Sequence, residues 1–458
     1  MFSFASLNQL LSDLPPDLWA RLLVAVLTTV IVALVIVANR KPLSHMMRER
    51  GDAQAVQSSH VGNPLRLGGI AIFAGLGAGI LVGKWNDATM PLLLIGSAAP
   101  ALLAGLWEDL GYGASPLRRL AASFVSAALA VLVLGVWVTR ADLPGLDQVM
   151  AVAPVGLLLT VIVSAGFCHA TNLVDGMNGL AAVIIIAAAA GLAVLAHDAG
   201  QRDLALMAAT VAAAMLGFFL LNWPFGTVFM GDAGSYGVGH ILIWMAFLLA
   251  ESAQEVVVPA LLLIVFWPLA DTLHSIARRL SDRAPVFAPD RMHLHQKMRR
   301  CIEIAFLGGA HRKRSNPLAT LCLAPMVVTP VIVGVILAHD ARDAWIALLV
   351  FSALFAITHV MIARLAVRRR RKFRCAATAC ADYSEYSHAY TENGCDLTVR
   401  IYRTPGQRKW RLAIIDRDSE PVEWQATFAT KHDALAEFNA TVRNGTVMRL
   451  VAAGRAPG

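Results

Sequence analysis

Residues Ala151–Ala196 read AVAPVGLLLTVIVSAGFCHATNLVDGMNGLAAVIIIAAAAGLAVLA. Two long apolar runs, Ala151–Phe167 and Leu180–Ala196, flank a short polar segment that holds Asn172, Asp175 and Asn178. Roughly 20 mostly apolar residues cross the ~30 Å hydrocarbon core of a bilayer. A pair of such runs joined by a polar turn is therefore a membrane hairpin. The pattern continues outward in both directions. Eleven apolar stretches occur, from Leu18–Ala38 to Ala344–Ile362. The second (Gly68–Val82) and eighth (Val238–Ala250) are short, which predicts helix ends that extend into flanking polar residues. The first follows a polar stretch with Asp13 and Asp17 and lacks a basic start, so it reads as a retained helix and not a cleaved leader.

Bulk composition agrees. Hydrophobic residues make up 57% of the 458 and charged residues 15%, with a mean hydropathy of +0.60. That excludes an ordinary soluble enzyme, whose surface needs more charge. Lys and Arg crowd the odd-numbered loops: Arg40, Lys41, Arg48, Arg50 and Arg66, then Arg118 and Arg119, then ten between Arg278 and Arg314. The even loops hold Lys84, Arg140, Arg202, none, and Arg342. By the positive-inside bias the odd loops and the C-terminus are cytoplasmic and the N-terminus is outside. The net charge of +8 is thereby explained by anionic membrane lipids as neighbours, with no call for nucleic acid. The six cysteines fall in spans or on the reducing side, a poor setting for disulfides.

The chain divides by composition. Residues 1–367 form one membrane domain; 368–458 lack a span and form a small soluble tail. In the tail, Asp396–Arg403 and Trp410–Asp416 alternate like strands across a turn at Pro405-Gly406. Lys431–Val442 has helical period, with Leu435, Phe438 and Val442 on one stripe. The expected fold is an all-α polytopic membrane protein of about eleven helices carrying a C-terminal cytoplasmic α+β domain. Cys375, Cys380, Cys395 and His388 lack the paired spacing of a zinc site.

Four polar clusters fall in odd loops, and so on one membrane face. Asn172, Asp175 and Asn178 stand three apart, with Gly176 and Gly179 allowing close backbone approach. A helix cap would account for one of the three but not for all. Asn222 to Ser235 combines an amide, Phe229, Asp232, Gly231 and Gly234. A carboxylate in that setting suits a hard cation such as Mg²⁺, whose shell substrate phosphates complete. Glu108-Asp109 offers adjacent carboxylates at a helix end, for a general base or a metal ligand. Asp290, Arg291, His293 and His295 lie among cations and suit phosphate contacts. Together these groups call for a phosphorylated donor with a flat ring, a divalent cation and a partner reached from the bilayer.

Five stretches resemble the polyprenyl-phosphate N-acetylhexosamine-1-phosphate transferases. They are Asn63-Pro-Leu-Arg-Leu-Gly-Gly69, Glu108-Asp109 with Ser115-Pro116, Asn172-x-x-Asp175-Gly-x-Asn178-Gly, Asn222 through Phe229-Met-Gly-Asp232-x-Gly-Ser235, and Asp290-Arg-x-His293-Leu-His295. The resemblance implies transfer of a sugar-1-phosphate from a UDP-N-acetylhexosamine to undecaprenyl phosphate at a bacterial plasma membrane, with release of UMP. It implies Mg²⁺, with Mn²⁺ as an alternative, held by Asp232 with help from Asp109, which would otherwise deprotonate the lipid phosphate. Asp175 and His293 join these two as catalytic candidates. Glu108, Asn172, Asp175, Asn178 and Asn222 would hold the nucleotide sugar, with Phe229 stacking on uracil. Arg291, His293 and His295 would clamp the diphosphate and Arg118 or Arg119 the acceptor phosphate. A homodimer is compatible with this reading. Three positions depart from the family pattern: Glu108 and Asn178 stand where aspartates are usual, and Gln296 follows His295 where a further histidine is common. Arg-x-His-x-His also differs from the three consecutive histidines of the muramoyl-pentapeptide branch. A secondary transporter of an anionic solute is the alternative, but transporters bind near the midplane between repeats, and neither feature is visible here.

The loop charges predict topology directly. A reporter fused after Gly458 should read as cytoplasmic and one inserted near Asn86 as external; a C-terminus on the outer face would contradict the orientation.

Overall fold

The computed structural model describes residues 16–46, 65–283, 290, 292–307, 312–379, 382–392, 395–403, 407–416, 422–424, 426–445 and 447. Asn63, Pro64, Arg291, Cys380 and the Pro405-Gly406 turn lie outside them, as do the side chains of Cys375 and Cys395. Two compact units are present, Met1–Arg364 and Leu365–Gly458.

The first unit is helical. In chain order it contains α1 (Pro16–Ala38), α2 (Arg40–Met46), α3 (Gly68–Val82), α4 (Thr89–Asp109), α5 (Pro116–Leu134), α6 (Leu146–Met150), α7 (Ala153–Val174), α8 (Leu180–Asp198), α9 (Arg202–Asn222), α10 (Gly231–Ser252), α11 (Val258–Ile264), α12 (Phe266–Ser281), α13 (Leu294–Ile302), α14 (Arg312–Ile336) and, as far as Arg364, α15 (Ala341–Ala379). Among the described residues nine helices are long and apolar enough to span a membrane, or ten if the bent pair α11–α12 counts as one. That is fewer than the eleven read from the sequence. The difference is α3: its 15 residues reach about 22 Å at 1.5 Å per residue, short of the hydrocarbon thickness. The short eighth stretch is by contrast part of the 22-residue α10, whose Gly-rich, Asp-bearing first turns conceal it in an apolar scan. The ninth is broken, α11 and α12 meeting at 84°. Pro268 has no N–H to donate to Ile264 and its ring crowds that carbonyl, so the ladder fails where the bend occurs.

α10 is the axis of this unit, buried along nearly its whole length. It packs on α3, α4 and α7, and its glycines are what admit them. A Cβ on Gly69 would meet Gly234 Cα at 2.6 Å, and one on Gly105 of α4 would meet the Asp232 carbonyl oxygen at 2.6 Å. Close backbone approach of this kind takes the place of a hydrophobic driving force between helices in lipid. The outer helices show the reverse pattern. Leu23, Leu27, Ile31 and Leu34 on α1 and Leu349, Val350, Leu354 and Ile357 on α15 are exposed, as a lipid-facing surface requires.

The second unit has strands β1 (Asp382–Tyr383), β2 (His388–Glu392), β3 (Cys395–Arg403), β4 (Arg411–Asp416) and β5 (Val422–Glu423), then α16 (Lys431–Arg443). The sheet is antiparallel, in the order β1-β3-β4-β5 with β2 also on β3. Alternate residues Leu397, Val399 and Ile401 of β3 and Leu412 and Ile414 of β4 form a core with Trp424 and Phe438. Leu435 and Val442 flank it, as the helical stripe predicted. Thr430 caps α16 in a box with Asp433.

The Gly69–Gly234 contact yields a prediction. Gly69→Ala should destabilise the chain by about 1–3 kcal/mol through overpacking, seen as an earlier thermal transition in detergent. An unchanged transition would mean that α3 does not pack on α10 as described.

Candidate active site

The polar clusters converge where α10 begins. The chain before it, Val228–Met230, runs beside Leu65–Gly69: Phe229 N donates to Leu65 O at 2.9 Å, Gly68 N to Phe229 O at 2.8 Å and Gly69 N to Met230 O at 2.8 Å. Gly231 then turns the backbone at φ +75°, and a Cβ there would collide with the Arg66 carbonyl and with Asp109 Oδ2. Only glycine serves at this position.

A helix N-terminus leaves N–H groups without partners inside the helix and carries a positive partial charge. Two carboxylates meet that need. Asp175, just past the end of α7, accepts from Gly231 N at 3.1 Å. Asp109, the last residue of α4, accepts from Asp232 N at 3.0 Å and from Ala233 N at 2.8 Å. The ends of α4 and α7 are thus both tied to the start of α10 by hydrogen bonds to carboxylates. Desolvation pushes the Asp175 carboxyl up to about 7, against the pull of Arg66 and the Gly231 N–H.

Asp232 points away from this cap. Its Oδ1 accepts from Asn172 Nδ2 at 3.0 Å and its Oδ2 from Arg119 Nη1 of α5. Asn172 Nδ2 also reaches Ser235 Oγ at 2.8 Å. Glu108 Oε1 stands 4.0 Å from Arg119 Nη1, and its other oxygen takes the Ala114 N–H. Asp232 is 3% exposed and Asp109 3%. Four segments, the ends of α4 and α7 and the starts of α5 and α10, thus place Glu108, Asp109, Arg119, Asn172, Asp175 and Asp232 in one partly buried site.

Other expected residues lie elsewhere or act differently. Asn222 is buried, its Oδ1 accepting from Gly179 N and its Nδ2 donating to Val228 O at 2.7 Å. Asn178 donates from Nδ2 to Pro224 O at 2.8 Å and from its backbone N to Asn316 Oδ1 at 2.9 Å. These amides are occupied by backbone, so the two asparagines brace the α7–α8 turn against the loop before α10; the sequence suggested contact with a nucleotide. Phe229 is 3% exposed, its ring in the interior where a face open to a base was expected.

The histidine loop forms a second group. Asp290 accepts from Ser275 Oγ at 2.6 Å and Met292 N at 2.9 Å and pairs with Arg278. His293 and His295 are both buried beside Asp271 of α12, their rings stacked 5.7 Å apart. Asp271 and His359 of α15 were missed from the sequence, although a lone ionisable group in an apolar span is itself a functional signal.

Among the described residues no set of three or more His, Cys, Asp or Glu side chains is arranged to hold a metal ion. The donor chemistry still fits a hard cation whose shell a substrate completes: Asp232 is an oxygen donor whose Oδ2 already faces a guanidinium. Asp109 fits less directly, since α10 already holds both of its oxygens.

Residues 91–250 match the sequence profile of glycosyl transferase family 4. The chain is 29% identical over 237 residues to the protein of Bacillus subtilis (strain 168) named "Probable undecaprenyl-phosphate N-acetylglucosaminyl 1-phosphate transferase", covering 51% of this chain and 65% of that one. It is 27% identical over 307 residues to a decaprenyl-phosphate N-acetylglucosaminephosphotransferase of Mycobacterium leprae (strain TN), covering 61% and 74%. It is 27% identical over 256 residues to an undecaprenyl-phosphate alpha-N-acetylglucosaminyl 1-phosphate transferase of Yersinia pestis, covering 54% and 69%. The first match thus spans just under two thirds of its relative's length. The matched profile ends before the histidine loop but takes in Glu108-Asp109, Asn172–Asp175 and Asp232, the residues gathered around the start of α10. The chain is a polytopic membrane protein whose residues 91–250 are similar to glycosyl transferase family 4.

Proposed function

We propose that this protein transfers N-acetylhexosamine-1-phosphate from a UDP-sugar to undecaprenyl phosphate, releasing UMP. The observation that carries the reading is the cluster of Asp232, Arg119, Asn172 and Glu108 at the capped start of α10, where acidic and cationic groups meet at the ends of membrane helices. Such a place suits a water-soluble diphosphate and an acceptor phosphate borne on a lipid. A transporter would place its polar groups at the midplane.

Phosphoryl transfer asks the protein chiefly to position groups and neutralise charge. An oxygen of the lipid phosphate attacks the phosphorus that bears the sugar, and the bond from that phosphorus to the bridging oxygen breaks, leaving UMP. Mg²⁺, held by Asp232 and the donor phosphates, would supply charge neutralisation at the diphosphate. Arg119, in the first turn of α5, would receive the acceptor phosphate. Asn172 fixes the Asp232 carboxylate from the side. Asp109 and Asp175 hold the start of α10 in place, and Asp175, pushed up to about 7 by desolvation, is suited to accept a proton.

Asp232→Asn should lower UMP release, assayed with UDP-GlcNAc, undecaprenyl phosphate and Mg²⁺, by at least ~100-fold, the scale of losing a group that stabilises transition-state charge, while the protein still inserts. Near-wild-type turnover would remove Asp232 from the site. Chelation should stop the wild-type reaction and Mg²⁺ restore it; activity that survives chelation would count against a bound cation. Every site group precedes Arg368, so a chain ending at Phe373 should keep UMP release within a few-fold. An inserted but inactive truncation would show that the tail contributes to the site.

A further inference from the structure

Asp271 sits on α12 beyond the 84° bend, 2% exposed. His293 Nδ1 lies 3.1 Å from its Oδ2, and Leu294 N donates to its Oδ1 at 3.2 Å. His295 Nδ1 is 3.6 Å from Oδ2, and His359 Nε2, from α15, is 3.9 Å from Oδ1. One carboxylate therefore has three histidines around it, two from the start of α13 and one from α15.

The three are not equivalent. Only His293 is within hydrogen-bond reach of Asp271. Its other nitrogen, Nε2, stands 3.8 Å from Asp290 Oδ2, so its ring lies between two carboxylates. His295 runs parallel to it at 5.7 Å between centroids, yet neither of its nitrogens has a hydrogen-bond partner. His359 is engaged by Lys297 Nζ at 2.9 Å and lies against the His274 ring at 4.1 Å. Among the described residues, the charged and titratable groups on His293 and its immediate neighbours are Asp271, His274, Arg278 and Arg279 of α12, Asp290 of the loop, His295, Lys297 and Arg299 of α13, and His359 of α15. The balance separates the neighbours. Burial would depress His293, but the hydrogen bond to Asp271 and the charges of Asp271 and Asp290 raise it above the ordinary histidine range, with Arg278 opposing. Burial lowers His295, and Asp271 does not offset it.

We propose that Asp271 is a positioning residue that holds His293 as a cation, with its ring direction fixed, for contact with the donor's diphosphate. This rests on the transferase reading only for what His293 touches. The Asp–His pairing is independent of it. A carboxylate accepting from one imidazole nitrogen sets which proton the other carries, as outer-sphere carboxylates do for metal-bound histidines. His295 and His359 then fill the space around Asp271 and keep water from it. His359 also makes the last membrane helix part of the support for the catalytic loop.

The test uses the full-length chain in lipid nanodiscs with ¹⁵N-labelled histidine, the His293 signal being identified by its loss in His293→Gln. In Asp271→Asn the protonation midpoint of His293 should fall, with proton affinity reduced about tenfold or more, the usual scale for losing an adjacent opposite charge. The KM for UDP-GlcNAc should rise more than kcat falls, and the high-pH limb of UMP release should move to lower pH. Asp271→Glu should recover part of each. In a His293→Gln background, Asp271→Asn should add little. An inserted Asp271→Asn protein whose His293 titrates as in wild type would overturn the proposal, as would additive losses in the double variant. If Asp271→Asn fails to insert, Asp271→Ser makes the same comparison. A wild-type chain that released no UMP would count against the transferase reading, while the His293 titration would still decide the role of Asp271.

Discussion

The site depends on the capping of one helix. The first residues of α10, Gly231, Asp232 and Ala233, are buried, and each of their N–H groups left unmet there would cost about 1–3 kcal/mol. Asp109 and Asp175 meet them. Because these carboxylates end α4 and follow α7, the cap also fixes how three membrane helices meet. It leaves Asp232, the second residue of α10, with its backbone N–H satisfied and its carboxylate free to face Asn172 and Arg119. The glycines belong to the same arrangement. Gly105 lets α4 close on the Asp232 backbone, Gly231 makes the turn, and Gly69 with Gly234 lets α3 seat behind it.

A second layer braces this arrangement. Asn222 ties the Gly179 N–H to the Val228 carbonyl, and Asn178 joins Pro224 and Asn316. Thr320 of α14 closes on the Asn178 carbonyl at 2.7 Å. Buried amides are dear to desolvate unless both their donor and acceptor are paired, as those of Asn222 are. The polar residues of these loops therefore divide into those gathered around Asp232 and those that hold the loop.

Much of this was legible in the chain. Polar residues are expensive in a membrane protein, so Glu108-Asp109, Asn172–Asn178 and Asn222–Ser235 stood out, and the structure gathers them at one end of α10. Direction was not legible. An asparagine amide reads the same whether it meets a nucleotide or a backbone carbonyl, so the sequence does not separate Asn178 and Asn222, whose Nδ2 groups meet carbonyls, from ligand contacts. Phe229 was read as a stacking face for the same reason. Asp271 and His359 were overlooked because each stands alone in an apolar stretch with no motif beside it. The 84° break lay in plain view at Pro268, but hydropathy averages across such a residue and returns one span. The tail was easier, since strand alternation and helical period are local signals.

The claim that the α10 cap builds the site is tested most directly at Asp109. Asp109→Asn preserves shape but replaces one acceptor oxygen with an N–H₂ group facing the helix N–H groups. Thermal unfolding and UMP release should be measured on the same purified chain. The account predicts an earlier unfolding transition, by about 1–3 kcal/mol for an unmet buried N–H, together with loss of UMP release. A variant as stable and as active as the wild type would contradict it.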